Sequence, residues 1–230
     1  SFLICYTIIV FQNRKFNFSQ KEFLLIIIFG FFQNTIYLGF NFLSLSWVKA
    51  GLVVTINSLV PIIVVFLLFL IYRQRVSNLS FLGLFLGLLG IIGILINIEK
   101  NNFEFLGILF CLLATISISL ATIIIKDMTS GKFLEIICIQ MLIGFLTITP
   151  ISAFYEKWYI DFDKDLILSF LFLIIGPGII ANYLWLKMIN DLGASKASSF
   201  HFLNPILGLF AAYIFLAEKI LILNFISVLI

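Results

Sequence analysis

The chain has 230 residues, 63% of them hydrophobic and 11% charged, about half the charge that a water-soluble domain of this size carries, so a soluble globular fold is excluded. Its net charge of +3 is small and its basic residues are scattered among loops, which offers no grip for nucleic acid. Three cysteines, all within apolar runs, and a single histidine leave no disulfide framework and no zinc site; Cys5, Cys111 and Cys138 read as buried, inert thiols, and no metal or cofactor is expected.

In chain order, the apolar runs predict helical spans at 1–11, 23–45, 50–72, 79–97, 103–125, 133–154, 166–188, 195–216 and 220–230. About 20 apolar residues at 1.5 Å per residue match the hydrocarbon thickness of a bilayer. The strict alternation of a membrane β-barrel is absent, and lipid offers no partner to an unpaired backbone group. The fold class is therefore all-α, a polytopic membrane helical bundle. The first and last runs are cut short, so the chain reads as a fragment. The longest connections, Gln12–Glu22 and Tyr155–Asp165, are too short for a soluble domain.

Loop charge sets an expected orientation. One side carries Arg14, Lys15, Lys21, Arg73, Arg75, Lys126, Lys132, Lys187 and Lys196; the other carries Lys49, Lys100, Lys157, Lys164 and Lys219. The first side is expected to be cytoplasmic. The loop with Glu156, Asp161, Asp163 and Asp165 then faces outward.

Sliding the chain by 144 positions superposes Ala50 on Ala194, Leu59 on Leu203, Pro61 on Pro205, Ile62 on Ile206, Phe66 on Phe210 and Leu79 on Leu223. Gln74-Arg75 falls on Glu218-Lys219. Five spans separate the equivalent positions, and an odd number inverts the second copy relative to the membrane, a recurring plan of transporters. The stretch Ala50-Gly51, Pro61, Arg73-Gln74-Arg75-Val76, Gly83, Gly90 resembles the first half of an EamA-type transporter of the drug/metabolite transporter superfamily. Gly193-Ala194-Ser195, Pro205 and Ala217-Glu218-Lys219 resemble its second half. Gln74 stands where the family usually has Glu. The resemblance implies ten helices in two inverted five-helix repeats with both termini cytoplasmic. The chain would run from within helix 2 to within helix 10, with repeats at 1–98 and 103–230. It also implies a small-molecule metabolite as partner, alternating access as mechanism, and the cell membrane as location; it leaves a homo-oligomer open.

Pro61 and Pro205 sit near the middle of equivalent spans. A helix-interior proline frees the carbonyl four residues earlier, here that of Asn57 and of His201. Equivalent interrupted helices are the strongest sequence pointer to a transporter site, although a kink kept for packing, with Asn57 and His201 bonded to neighbours, reads the same way. Gly176-Pro177-Gly178 interrupts another span, followed by Asn182, Tyr183 and Trp185. Asn34, Tyr37 and Asn41 share a face at helical spacing; they suit a polar, partly flat substrate or interhelical glue. Gln140 and Asn204 are weaker candidates. Gly83, Gly87 and Gly90 read as a packing face. The carboxylates lie in loops or near span ends, which gives no support to a buried carboxylate relay. The sequence has no P-loop, H-E-x-x-H or intramembrane Asp pair, so an ATP-driven pump or membrane enzyme is not expected. A non-transporting scaffold or sensor is the rival reading.

Overall fold

The computed structural model describes residues 1–74, 78–95, 102–128, 131–155 and 162–216. They form an all-α bundle with twelve α-helical segments: α1 (Phe2–Phe11), α2 (Gln20–Gly30), α3 (Leu38–Ser44), α4 (Ala50–Asn57), α5 (Val60–Tyr72), α6 (Asn78–Leu95), α7 (Asn102–Ile125), α8 (Phe133–Tyr155), α9 (Lys164–Ile175), α10 (Asn182–Leu192), α11 (Ala194–Ser199) and α12 (Asn204–Leu216). Gln20–Ser44, Ala50–Tyr72, Phe105–Ile125, Phe133–Tyr155 and Lys164–Leu192 are each long and apolar enough to cross a membrane. The expected span at 220–230, the corner Ala217-Glu218-Lys219, and Arg75, Val76, Glu99, Lys100, Glu156, Lys157 and Asp161 lie outside the described residues.

Helix boundaries follow local chemistry. α2 starts at Gln20 rather than 23 because Ser19 and Glu22 form a capping box: Ser19 N donates to Glu22 Oε2 at 2.7 Å and Glu22 N donates to Ser19 Oγ at 3.3 Å. Asp163 caps α9 by accepting from Leu166 N at 2.6 Å. Arg73 ends α5 in the left-handed region at φ 52°, and Gly193 at φ 83° turns α10 into α11.

Four apolar spans are interrupted, and the interruptions recur at the 144-residue offset. Residues Phe31–Tyr37 wind as a π-helix between α2 and α3, and Gly176–Ala181 do so between α9 and α10. Ser58 and Leu59 break α4 from α5, and the 3-10 turn Phe200–Leu203 separates α11 from α12. Neither proline therefore kinks a continuous helix. Each occupies the second position of a restarted helix, where a missing N–H costs nothing. α4 packs on α12 and α5 on α11, so these two broken spans cross antiparallel.

Small residues allow the closest approaches, as expected where lipid removes the hydrophobic drive between helices. A Cβ at Gly30 would lie 2.8 Å from Gln140 Cα, one at Gly144 2.7 Å from Asn34 Cβ, and one at Gly208 within the side chain of Val54. Gly87 accommodates the ring of Phe202, whereas Gly83 has nothing within 4 Å, so the expected glycine face packs at Gly87 and is open at Gly83. The main apolar cluster runs from Cys5 and Ile9 through Phe29 and Val64 to Ile137 and Leu186. Cys5, Cys111 and Cys138 are buried free thiols.

At one end of the bundle the connections are tied together. Arg14 Nη1 lies 3.6 Å from Glu135 Oε2, and Lys132 Nζ donates to Asn17 O at 2.5 Å. Lys126 Nζ sits 3.4 Å above the Tyr72 ring, whose hydroxyl donates to Asp127 at 3.1 Å. These residues belong to the more basic side read from the sequence.

Candidate functional site

Asn182 opens α10 directly after the π-helical turn Gly176–Ala181. That turn shifts the hydrogen-bonding register, and carbonyls left by a π-turn need partners from side chains. Asn182 Nδ2 supplies them, donating to Pro177 O at 2.8 Å and Gly178 O at 3.3 Å. A carbonyl can only accept, so the nitrogen of this amide must face the turn and its oxygen must face away. Asn182 Oδ1 then accepts from Gln33 Nε2 at 2.5 Å and from Gln140 Nε2 at 3.1 Å. One amide thus links three spans: Gln20–Ser44, Phe133–Tyr155 and Lys164–Leu192.

The orientation of the two glutamines follows. Each turns its nitrogen to Asn182, so each turns its oxygen away. Gln33 Oε1 and Gln140 Oε1 are buried and have no hydrogen-bond partner. Gln140 is fully buried and Gln33 nearly so. Trp185, one turn along α10 from Asn182, has a buried indole N–H that is also unpartnered. Its ring meets that of His201 edge-on at 5.1 Å. Asn204 Nδ2 lies 2.9 Å from His201 Nδ1; an amide nitrogen only donates, so Nδ1 is the acceptor.

The other π-helical turn is braced similarly. Ser117 Oγ donates to Phe32 O at 2.7 Å, Asn34 Nδ2 to Gln140 O at 2.9 Å, and the hydroxyls of Thr35 and Thr147 meet at 2.5 Å. Beyond this turn a second polar group forms. Asn57 Nδ2 donates to Asn41 Oδ1 at 3.0 Å, while Thr115 Oγ1 lies 3.0 Å from Asn57 Oδ1 and 2.7 Å from Cys111 O. Among the described residues, no Asp, Glu, Lys or Arg takes part in either group, and no three His, Cys, Asp or Glu side chains gather as metal ligands.

Of the candidates read from sequence, Asn34 and Asn182 come together at Gln140, while Trp185 follows Asn182 by one turn of α10 and meets His201. Asn41 and Asn57 pair with each other. The stripe Asn34, Tyr37, Asn41 is split, because the π-helical turn breaks the α-helical spacing that put the three on one face: Asn34 reaches α8 and Asn41 reaches α4. Tyr37 packs as an aromatic against the main apolar cluster. Tyr183 is 37% exposed and turns its ring to Phe133 at 5.6 Å. Pro61, Pro205 and Gly176 sit at the helix interruptions, and Pro177 and Gly178 enter the amide group only through the backbone carbonyls that accept from Asn182. Gln33 and Thr115 were not among the predicted site residues. A polar residue in mid-span next to Asn34, and the hydroxyl run Thr115, Ser117, Ser119, Thr122, were the available signals.

A separate recess of about 610 Å³ lies between α5 and α6, lined by Val65, Phe66, Phe69, Phe81 and Phe85 among others. Its walls are wholly apolar side chains, and several are exposed on the outside of the bundle.

The model of the family described as "EamA-like transporter family" matches residues 1–96 and 105–230. The chain is 26% identical over 165 residues to an uncharacterised transporter in the sor 3' region of Acidianus ambivalens, covering 70% of this chain and 63% of that protein. It is 24% identical over 189 residues to the uncharacterised transporter YvbV of Bacillus subtilis, covering 81% of this chain and 62% of that protein. The chain thus spans about three fifths of the length of these relatives. A solved structure titled only as a crystal structure of a protein is similar over 98% of this chain and 80% of its own, with TM-score 0.76 at 15% identity, a likeness of fold.

Proposed function

Because the chain belongs to the EamA-like transporter family, of the drug/metabolite transporter superfamily, we propose that the protein is a secondary transporter that moves a small polar or amphipathic metabolite by alternating access, as an exporter or exchanger. The observation that carries this reading is the amide hub. Asn182 joins three membrane spans at a π-helical interruption and leaves two buried glutamine acceptors without partners, and the buried indole N–H of Trp185, one turn along α10, is unpartnered too. A non-transporting bundle gains nothing from such orphaned groups, whereas a carrier needs polar groups that a substrate can complete.

The plan proposed for the membrane is two inverted five-helix repeats, at 1–98 and 103–230, in the cell membrane with the Arg14–Lys132 side cytoplasmic. The matching helix interruptions at the 144-residue offset support the repeat, and the uneven loop charge supports the orientation. The substrate path then runs between the spans that carry Gln33, Asn57, Asn182, Trp185 and His201.

The test is transport by cells expressing the full-length protein, with extracellular and intracellular metabolites compared against cells lacking it. Asn57→Leu and His201→Leu are expected to reduce the transported flux at equal membrane abundance. A full-length protein that alters no metabolite distribution would favour a scaffold or sensor instead.

A further inference from the structure

We propose that the hub around Asn182 takes a neutral, flat ligand that carries both N–H donors and a carbonyl, a lactam or ureide of the nucleobase type, in preference to an anion or a quaternary cation. The proposal rests on the transporter reading and specifies the chemistry of its substrate.

The argument begins at a backbone carbonyl. Pro177 O and Gly178 O fix which end of the Asn182 amide is nitrogen. The Asn182 oxygen then fixes both glutamines, since turning either amide over would set oxygen against oxygen. Gln33 Oε1 and Gln140 Oε1 are therefore acceptors with no freedom to become donors while the hub is intact. Both belong to amides held by one oxygen, at 2.5 and 3.1 Å, so both lie at the same level of the bundle. Trp185 Nε1, one turn from Asn182, can only donate. The unfilled inventory is two acceptors and one donor, and its complement is a ligand with two N–H groups and one carbonyl. Trp185 and His201, edge to face at 5.1 Å, provide aromatic surface for a planar skeleton.

Charge decides between ligand classes. No ionised side chain among the described residues joins the hub. Along α8 the nearest carboxylate is Glu135, five residues or roughly 7.5 Å of rise from Gln140 and 3.6 Å from Arg14. A buried ion without a counter-charge is strongly disfavoured, whereas a neutral ligand that completes existing hydrogen bonds is not. The two oxygens would also repel a carboxylate.

The experiment uses the full-length protein in proteoliposomes given labelled uracil, nicotinamide or hydantoin on the outside. Unlabelled competitors are the same compounds, their N-methylated forms such as 1,3-dimethyluracil, benzoate and choline. Uptake of at least one N–H compound is expected, with its fully N-methylated form competing roughly ten- to a hundredfold less well because two acceptors stay unpaired. Gln33→Met and Gln140→Met should each shrink that ratio toward one, a readout that partial loss of folded protein does not move. Equal competition by methylated and unmethylated forms overturns the proposal. So does transport in which benzoate or choline competes best, and that outcome leaves the transporter reading standing. Proteoliposomes that move none of the probes, and nothing from a total metabolite extract, overturn both.

Discussion

Gln33 Nε2 lies 2.5 Å from Asn182 Oδ1 across 149 residues of sequence, and the same oxygen receives Gln140 Nε2. Asn182→Ala would strand two glutamine donors and two backbone carbonyls in an apolar bundle. An unpaired buried polar group costs about 1–3 kcal/mol, less whatever the freed amides recover from one another. The variant is expected to lose about 2 kcal/mol of stability in detergent and most of its transport. Asn182→Asp keeps the acceptor for both glutamines but sets a carboxyl oxygen against Pro177 O, so it should lose stability as well. A thermal unfolding series on the purified full-length protein reads both effects.

The two halves of the hub can meet only because Gly30 and Gly144 bring the Gln20–Ser44 span and α8 close. A Cβ at Gly30 would stand 2.8 Å from the Gln140 backbone, and one at Gly144 2.7 Å from Asn34 Cβ. Gly30→Ala and Gly144→Ala should each cost about 1–3 kcal/mol through overpacking. Gly39 lies in α3 with nothing within 4 Å of a built Cβ. There the helix propensity of alanine acts alone, and Gly39→Ala should raise stability by up to about 1 kcal/mol. Opposite signs at Gly30 and Gly39 in the same unfolding assay are the expected result.

Arg14 and Glu135 make an unequal pair: the Arg14 side chain is 42% exposed and that of Glu135 is 5% exposed. Their 3.6 Å contact is long, and Arg14 is solvated, so the pair itself is worth little. Removing only the arginine leaves a nearly buried carboxylate without a counter-charge, which costs more than removing the carboxylate from a solvated arginine. Arg14→Ala should therefore destabilise more than Glu135→Gln, by roughly 1 kcal/mol. In the double variant the Arg14→Ala penalty should largely vanish. A double-mutant cycle by chemical denaturation tests this.

Apolar run length was enough to locate the five helical spans that are long and apolar enough to cross a membrane, because bilayer thickness and hydropathy act on composition alone. The offset that joined Pro61 to Pro205 also marked where helices are interrupted. Composition could not specify the form of the interruptions. Residues Phe31–Tyr37 contain no proline and no glycine, and their π-helical turn is held by Ser117 and Asn34, contacts 85 and 106 residues away in sequence. For the same reason Gln33, off the α-helical stripe, reaches Asn182, while Tyr37, on it, packs against the apolar cluster. Facing at α-helical spacing is lost across a π-turn, and which amide meets which depends on where a distant glycine admits a neighbouring helix.

The prolines supply the last prediction. Pro61 is the second residue of α5, and the preceding turn at Ser58 and Leu59 holds the end of α4 so that Asn57 reaches Asn41 and Thr115, each at 3.0 Å. Pro61→Ala restores an N–H whose helical acceptor is Asn57 O, so α4 and α5 are able to anneal into one continuous helix. The gain of one hydrogen bond, about 1 kcal/mol, offsets the loss of the Asn57 side-chain bonds as that residue rotates. Stability should change by less than about 1 kcal/mol. Transport should fall several-fold, because the polar group at the break is dismantled. Pro205→Ala makes the same test at Phe200–Leu203, where His201 and Asn204 meet at 2.9 Å. Normal flux in both variants, at unchanged unfolding temperature, would mean that the interrupted helices serve packing and lie outside the substrate path.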